Sequence, residues 1–416
     1  MQTSIGFESL YSTSHPCNTK NLNKRVILDM IRFAPSGISR ADLARQMDLT
    51  RAAITTIIND LMGEGLVRET ETSVGVATTG GRRPIHLEIN PQRSMVLGID
   101  MASTHLSILL TDFSGHVLHE VELPFNIKNK PADCLNEVDH QVRLLLEQEG
   151  LKIENIIAAG IGVPGPVSQV LGGVNEPPIM PGWDGVPIRD ILTRIWNIPI
   201  AIGNDAEFGA TGEWAYGSGR GIANLAYIKV GSGIGAGLLL DGHSYRGATG
   251  CAGEIGHITI QENGPLCSCG NHGCLEALAG GNAIALRAQE AVLNGKRTLL
   301  SAVTPVDSIT ARHVADSARM GDLVSQQIVT AAGKYLGIAI ASLVNLFNPE
   351  MVVVGGAVSQ MGDLLLNPVR QAVRERSLRP AAQAVRISTA VLDRRSTSIG
   401  AVVQAINLAL DQLTER

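Results

Sequence analysis

Hydrophobic positions along this chain change their period twice. From Asn21 onward, Leu22, Val26, Ile27, Met30 and Ile31 recur at helical spacing until Pro35-Ser36-Gly37, a run that stops helices. Ser39, with Asp42 three residues on, fits a capping box opening a second helix whose inner face carries Leu43, Ala44 and Met47. After the short turn Asp48-Leu49, Thr50 caps a third helix, Arg51 to Met62. Its Ile54, Ile57, Ile58 and Leu61 point inward, while Arg51, Ala52, Thr55, Thr56 and Asn59 point outward. Two short helices across so tight a turn make a helix-turn-helix. The residues that follow read as two strands, Leu66 to Glu69 and Ile85 to Ile89, around Gly80-Gly81-Arg82-Arg83-Pro84, which is the layout of a wing.

Pro91 ends that pattern, and a different one begins. Met95 to Asp100 reads as a buried strand, so a boundary falls near residue 90. Apolar runs at Ile156 to Val163, Ile198 to Ile202, Leu225 to Val230 and Met351 to Val354 each end in Gly or Pro clusters, with helical segments such as Ala132 to Glu149 between them. Strands alternating with helices imply an α/β body. Residues 1–17 are polar, aperiodic and rich in Ser and Thr, as expected of a frayed arm.

Composition narrows this picture. A chain of 416 residues holds two or three domains, and aliphatic cores fit a hydrophobic fraction of 44% with only 3% aromatics and 45 glycines. The net charge is -5, yet residues 1–90 carry ten Lys/Arg against nine Asp/Glu. DNA binding must therefore come from a motif rather than bulk charge. Outward Arg51, Thr55 and Thr56 can reach base edges in the major groove, and the Gly-flanked pair Arg82 and Arg83 suits a narrow, electronegative minor groove. The alternative is an ordinary helical bundle. The longest apolar run, Leu336 to Phe347, is shorter than a bilayer span, and the opening residues show no secretory leader. A cytoplasmic protein without a membrane segment is expected.

The densest chemistry lies between Gly253 and Ala277. Three of six cysteines, Cys267, Cys269 and Cys274, crowd into eight residues, with His257 upstream. A Cys3His set suits tetrahedral structural zinc and leaves no open position for catalysis. A disulfide is the competing use, but it would strand an odd thiol.

Gly-Glu-Ile-Gly-His at 253–257 followed by C-x-C-G-x-x-G-C-x-E at 267–276 resembles the signature of the ROK family, named for repressors, open reading frames and sugar kinases. The winged segment with its G-G-R-R-P element resembles that of the family's repressors. The resemblance covers essentially all of residues 91–405 and implies a body of two actin-like (ribonuclease H-like) lobes behind an α+β winged helix-turn-helix domain. The expected units are an arm at 1–17, the DNA-binding domain at 18–90, a first lobe at 91–204 plus 396–416, and a second lobe with the zinc site at 205–395. The last helix, Ser398 to Leu413, is expected to pack back on the first lobe. By the same resemblance, Glu254, His257 and Glu276 would bind sugar hydroxyls, as would Asn204 and Asp205 of the Asn-Asp-Ala element. Asp205 stands at the general-base position of the family's kinases.

Two departures bear on activity. The family's kinases carry D-x-G-G-T after the first strand, where this chain reads Asp100-Met101-Ala102-Ser103-Thr104, so both turn glycines are lost. A second glycine-rich turn, Gly231 to Gly237, and Val354-Gly355-Gly356 remain. Family kinases also often carry Pro-Asn before Gly-Trp, but this chain has Ile179 in the run Pro177 to Trp183. The reading is a non-enzymatic, sugar-responsive regulator, most simply a repressor. Its partners would be operator DNA, a sugar or sugar phosphate, and further copies of itself as a dimer or tetramer. The alternatives are an ATP-dependent sugar kinase with a DNA-binding domain, or a repressor captured by a partner protein.

Overall fold

The computed structural model describes residues 19–34, 37–71 and 85–414. The amino-terminal arm, the Pro35-Ser36 break and the wing tip with Arg82 and Arg83 lie outside the described residues. The chain opens with α1 (Thr19–Phe33), α2 (Arg40–Gln46) and α3 (Arg51–Gly63), followed by an antiparallel pair, β1 (Val67–Glu71) and β2 (Ile85–Ile89). The Ser39 hydroxyl accepts the Asp42 backbone N–H at 3.2 Å, and the Asp42 carboxylate accepts the Ser39 N–H, closing the capping box. The Ser39 hydroxyl also donates to the Asp42 carboxylate at 2.6 Å, and this bond, with the Ser39 N–H, holds the Asp42 carboxyl below its usual range. Such a cap stabilises a helix by about 1 kcal/mol. Asp48 adopts a left-handed φ of 51° between α2 and α3, which makes the turn tight.

The first lobe contains β3 (Met95–Met101), β4 (His105–Asp112), β5 (Val117–Pro124), α4 (Pro131–Gln148), β6 (Ile156–Val163), the short ribbon β7 (Val167–Ser168) and β8 (Gly173–Val174), α5 (Ile188–Trp196) and β9 (Ile200–Asn204). Then α6 (Asp205–Tyr216) leads into β10 (Leu225–Val230), β11 (Ile234–Leu240), β12 (His243–Ser244), α7 (Leu275–Ala279), α8 (Gly281–Leu293), α9 (Ala311–Arg319) and α10 (Leu323–Phe347). The chain closes with β13 (Met351–Gly355), α11 (Asp363–Arg376), α12 (Arg379–Ala384), β14 (Arg386–Thr389) and α13 (Ser396–Thr414).

Both five-stranded sheets have one plan. The first is ordered β5-β4-β3-β6-β9 and the second β12-β11-β10-β13-β14. In each, the first three strands in sequence run antiparallel and the last two join in parallel. The strands β3, β4, β6, β10 and β13 are mostly apolar and buried on both faces, as sheets covered by helices require, whereas β5, β12 and β14 at the sheet edges hold no buried residue.

Two features differ from the sequence expectation. At 25 residues, α10 is longer than its most apolar stretch suggested, and by length and composition it could cross a membrane. Its Ile328, Val329, Leu336, Ile340 and Val344 are instead buried in the core of the second lobe. The hydrophobic core also does not stop at residue 90: Ile27, Leu28 and Ile54 share one cluster with Val96, Phe113, Val402, Ile406 and Leu410 of the body. Helix α13 packs against α6, and a Cβ added at Gly400 would collide with the Phe208 carbonyl of α6. Glycine permits that approach.

Candidate effector cleft and metal centre

A cavity of about 320 Å³ lies between the lobes, reached by the carboxyl ends of β3, β9 and β10. Ligands of open α/β sheets gather at such strand ends. The structure brings all of the sequence-derived candidates Asn204, Asp205, Glu254, His257 and Glu276 to its wall, with Pro178 and Ile179 forming an apolar side. Their roles there differ. Asn204 ends β9 and caps α6: its Oδ1 accepts the backbone N–H groups of Ala206 (2.8 Å) and Glu207 (3.1 Å), and its amide donates to the Gly165 carbonyl at 3.0 Å. Much of its hydrogen-bonding capacity is therefore spent on the fold. The carboxylate of Glu276 accepts the Ile234 N–H at 3.0 Å and the Ser268 hydroxyl at 3.1 Å, tying the glycine turn to the cysteine loop. Glu254 faces His257 Nε2 at 3.9 Å, and burial pushes its carboxyl above the usual range.

Asp205, the first residue of α6, meets a group that was not singled out from the sequence. Lys229 Nζ lies 2.9 Å from Asp205 Oδ2, 3.5 Å from Asp100 Oδ2 and 3.1 Å from Thr397 Oγ1. The side chains of Lys229, Asp100 and Asp205 are 15%, 1% and 17% exposed. Burial disfavours the ammonium, but the adjacent carboxylates of Asp100 and Asp205 outweigh it and raise its pKa. The stability this gives Lys229 is complete below its unfolded pKa and is lost only in strongly alkaline solution. Burial raises the pKa of Asp100 against the opposing pull of Lys229. One signal was available in the sequence: a lysine inside the apolar strand Leu225–Val230 needs a partner.

At the cysteine loop, ligand atoms of His257, Cys267, Cys269 and Cys274 all lie within 4.8 Å of one another. Cys267 Sγ is 3.6 Å from His257 Nδ1, and the sulfurs of Cys269 and Cys274 are 3.8 Å apart. A tetrahedral zinc–thiolate centre requires edges of ~3.8 Å, so the donor set fits a metal. His257 divides its two nitrogens, with Nδ1 toward the sulfurs and Nε2 toward Glu254 and the cavity. Burial and hydrogen bonds with the neighbouring thiols push Cys274 up to about 12. Burial raises the Cys269 thiol, but hydrogen bonds from the Asn271 backbone, Cys267 and Cys274 together outweigh it and lower the thiol. A cluster that keeps a thiol proton at neutral pH must release it on metal uptake.

The sequence profile of the ROK family matches residues 96–407. The chain belongs to the ROK family. It is 32% identical over 388 residues to the xylose repressor of Caldicellulosiruptor bescii, covering 93% of this chain and 96% of that protein. Among solved structures, a ROK family transcriptional regulator described as a homologue of the Escherichia coli MLC protein superposes with a TM-score of 0.80 at 27% identity, covering 96% of this chain and 100% of that one. A ROK family glucokinase from Streptomyces griseus, in complex with glucose and AMPPNP, gives a TM-score of 0.67 at 28% identity over 76% of this chain and 100% of its own.

In this ROK chain the amino-terminal helices leave Arg51, Thr55 and Thr56 exposed on one face of α3, with the two threonine hydroxyls bonded to the helix carbonyls of Arg51 and Ala52. The cleft is joined to this region by two helices. α6 starts at Asp205 in the cleft and ends at Trp214 and Tyr216, whose rings lie 5.0 and 6.5 Å from that of Phe33 in α1. α13 carries Thr397, which donates to the Asp205 carbonyl at 3.0 Å, and further along Asn407, whose Oδ1 accepts from Arg25 (3.0 Å) and Arg32 (2.7 Å) of α1. Glu213, fully buried, fixes α6 to the start of α13 by accepting from the Leu392 N–H, the Ser396 hydroxyl and the Ser218 and Val391 N–H groups. No periodicity announces these tertiary contacts.

Proposed function

We propose that this protein is a sugar-responsive transcriptional repressor. It binds operator DNA in the cytoplasm as a symmetric oligomer, dimer or tetramer, and its DNA affinity changes when a carbohydrate occupies the cleft. Arg51, Thr55 and Thr56 of α3 read base edges, and Arg82 and Arg83 of the wing hold the duplex. Asn204, Asp205, Glu254, His257 and Glu276 form the sugar-binding wall. His257, Cys267, Cys269 and Cys274 hold a structural zinc, which when bound cross-links the loop carrying Glu276. The observation that carries the reading is the pair α6 and α13, each with one end in the cleft and the other against α1. A ligand that prefers one lobe arrangement shifts the placement of α1, and with it the fit of two recognition helices to half-sites about 34 Å apart or a multiple of that spacing.

The fold is that of sugar kinases, but the phosphate side argues against phosphoryl transfer. Ala102 and Ser103 place side chains in the turn after β3, and Ser103 Oγ sits 3.2 Å from Ser232 Oγ of the other lobe. The deciding experiment selects a DNA site from a random pool with the purified protein, then measures its affinity against a panel of free and phosphorylated sugars. A cognate sugar should change operator affinity by roughly 5- to 150-fold. A sugar that binds through Glu254 and Glu276 yet leaves operator affinity unchanged would sink the proposal.

A further inference from the structure

We propose that Lys229 is the built-in cation of the cleft, occupying the place between Asp100 and Asp205 that a divalent metal would otherwise fill, and so excluding metal-bound nucleotide from a site that still accepts a neutral ligand. The inference deepens the reading of the cleft as a binding rather than a phosphorylating site. An ammonium has three N–H donors, and here each has an acceptor: the two carboxylates and the Thr397 hydroxyl. Two carboxylates converging from different elements, one at the end of β3 and one at the start of α6, are hard oxygen donors of the kind magnesium and manganese use. Asp100 is 1% exposed, lines the cavity, and its Oδ1 has no hydrogen-bond partner among the described residues. That vacant acceptor is a coordination position which the lysine leaves unused.

Phosphoryl transfer needs metal ions bridging the phosphate oxygens. Lys229 cancels one of the pair's two negative charges and fills the space between the carboxylates, so a metal must displace the ammonium to bind there. The Ser103–Ser232 contact adds a second bridge between the lobes on the same side of the cavity. Glu276 accepts the Ile234 N–H and the Ser268 hydroxyl, and Glu254 faces His257; neither is paired with a lysine among the described residues, and sugar hydroxyls would donate to them. Lys229 thereby fills the gap between Asp100 and Asp205 while leaving the rest of the cavity wall to a neutral ligand.

The test measures Mn²⁺ bound to full-length, zinc-loaded protein by electron paramagnetic resonance, for wild type, Asp205→Asn, Lys229→Met, Lys229→Thr and Lys229→Met/Asp100→Asn. Melting temperature and operator binding verify folding. Wild type should show no Mn²⁺ site that depends on Asp205. Lys229→Met or Lys229→Thr should gain one site per chain at least tenfold tighter than any in wild type, and the added Asp100→Asn should abolish it. An Asp205-dependent Mn²⁺ site in wild type overturns the proposal even if no variant at 229 folds. So does a folded variant that gains no site, or a gain that survives Asp100→Asn. Because Mn²⁺ is the only ligand added, these outcomes are independent of whether a sugar controls operator binding.

Discussion

The two lobes repeat one sheet plan, so the turn between β3 and β4 and the turn between β10 and β11 are equivalent places in the fold, facing each other across the cleft. Their sequences differ: Ala102-Ser103-Thr104 in one and Gly231-Ser232-Gly233 in the other. A glycine-rich turn suggests phosphate, but Gly233 has a nearer reason. A Cβ there would run into Glu276 Oε2, the oxygen that accepts the Ile234 N–H. The second-lobe turn keeps its glycine to let a carboxylate approach the backbone, and the first-lobe turn, with no such neighbour, carries side chains. Gly233 reports on Glu276 rather than on a nucleotide.

The largest way to break this comparison is to remove what positions Glu276. Cys269→Ser should abolish metal binding, read as loss of one zinc per chain by elemental analysis, and blunt the sugar response. Structural zinc contributes on the order of 10 kcal/mol to small zinc-dependent folds, although a loop within a large lobe loses its local order rather than the whole fold. Full zinc content in active Cys269→Ser would refute the ligand set. Acid should release the metal, because thiolates must regain protons as pH falls.

Next, Gly233→Ala should weaken sugar affinity by about 1.5 to 3 kcal/mol, the value of a hydrogen bond to a charged group, measured by calorimetry. The same substitution at Gly231, where a Cβ meets nothing within 4 Å, should cost far less. Equal losses at both positions would mean that the turn itself, and not Glu276, is what glycine serves.

On the DNA side, Arg82→Ala/Arg83→Ala should lower operator affinity and reduce its salt slope by about 1 per lost phosphate contact, while Thr55→Ala should change base preference by about 1 to 3 kcal/mol at one position. Binding across a salt series that is identical to wild type would remove the wing from the interface. Smaller still, Asn407→Ala should leave sugar affinity intact and reduce the sugar-induced change in operator affinity by about 0.5 to 2 kcal/mol. An unchanged response, with Phe33→Ala equally silent, would show that α6 and α13 do not carry the coupling. The smallest expected effect is none: Ala102→Gly/Ser103→Gly should restore no phosphorylation in a coupled assay with ATP and sugars, because Lys229 remains. Turnover at about 1 to 100 per second would show that the two lost glycines alone had silenced a kinase.

What the sequence determined by itself is what local spacing encodes. The three amino-terminal helices follow from apolar positions at helical period with Ser39 and Thr50 as caps, and the cysteine cluster lies within a few residues of chain, so its donors meet almost regardless of the rest of the fold. The ROK signature placed Glu254, His257 and Glu276 near one another for the same reason. Only tertiary structure decided what depends on residues far apart in the chain: Lys229 between Asp100 and Asp205, Asn204 spent largely on a helix cap, Glu276 as the cause of Gly233, and the core that runs from α1 into α13. Period and spacing report which face of an element is buried. They carry no record of which distant element covers it, because that is set by how two separately formed sheets and the helices between them pack.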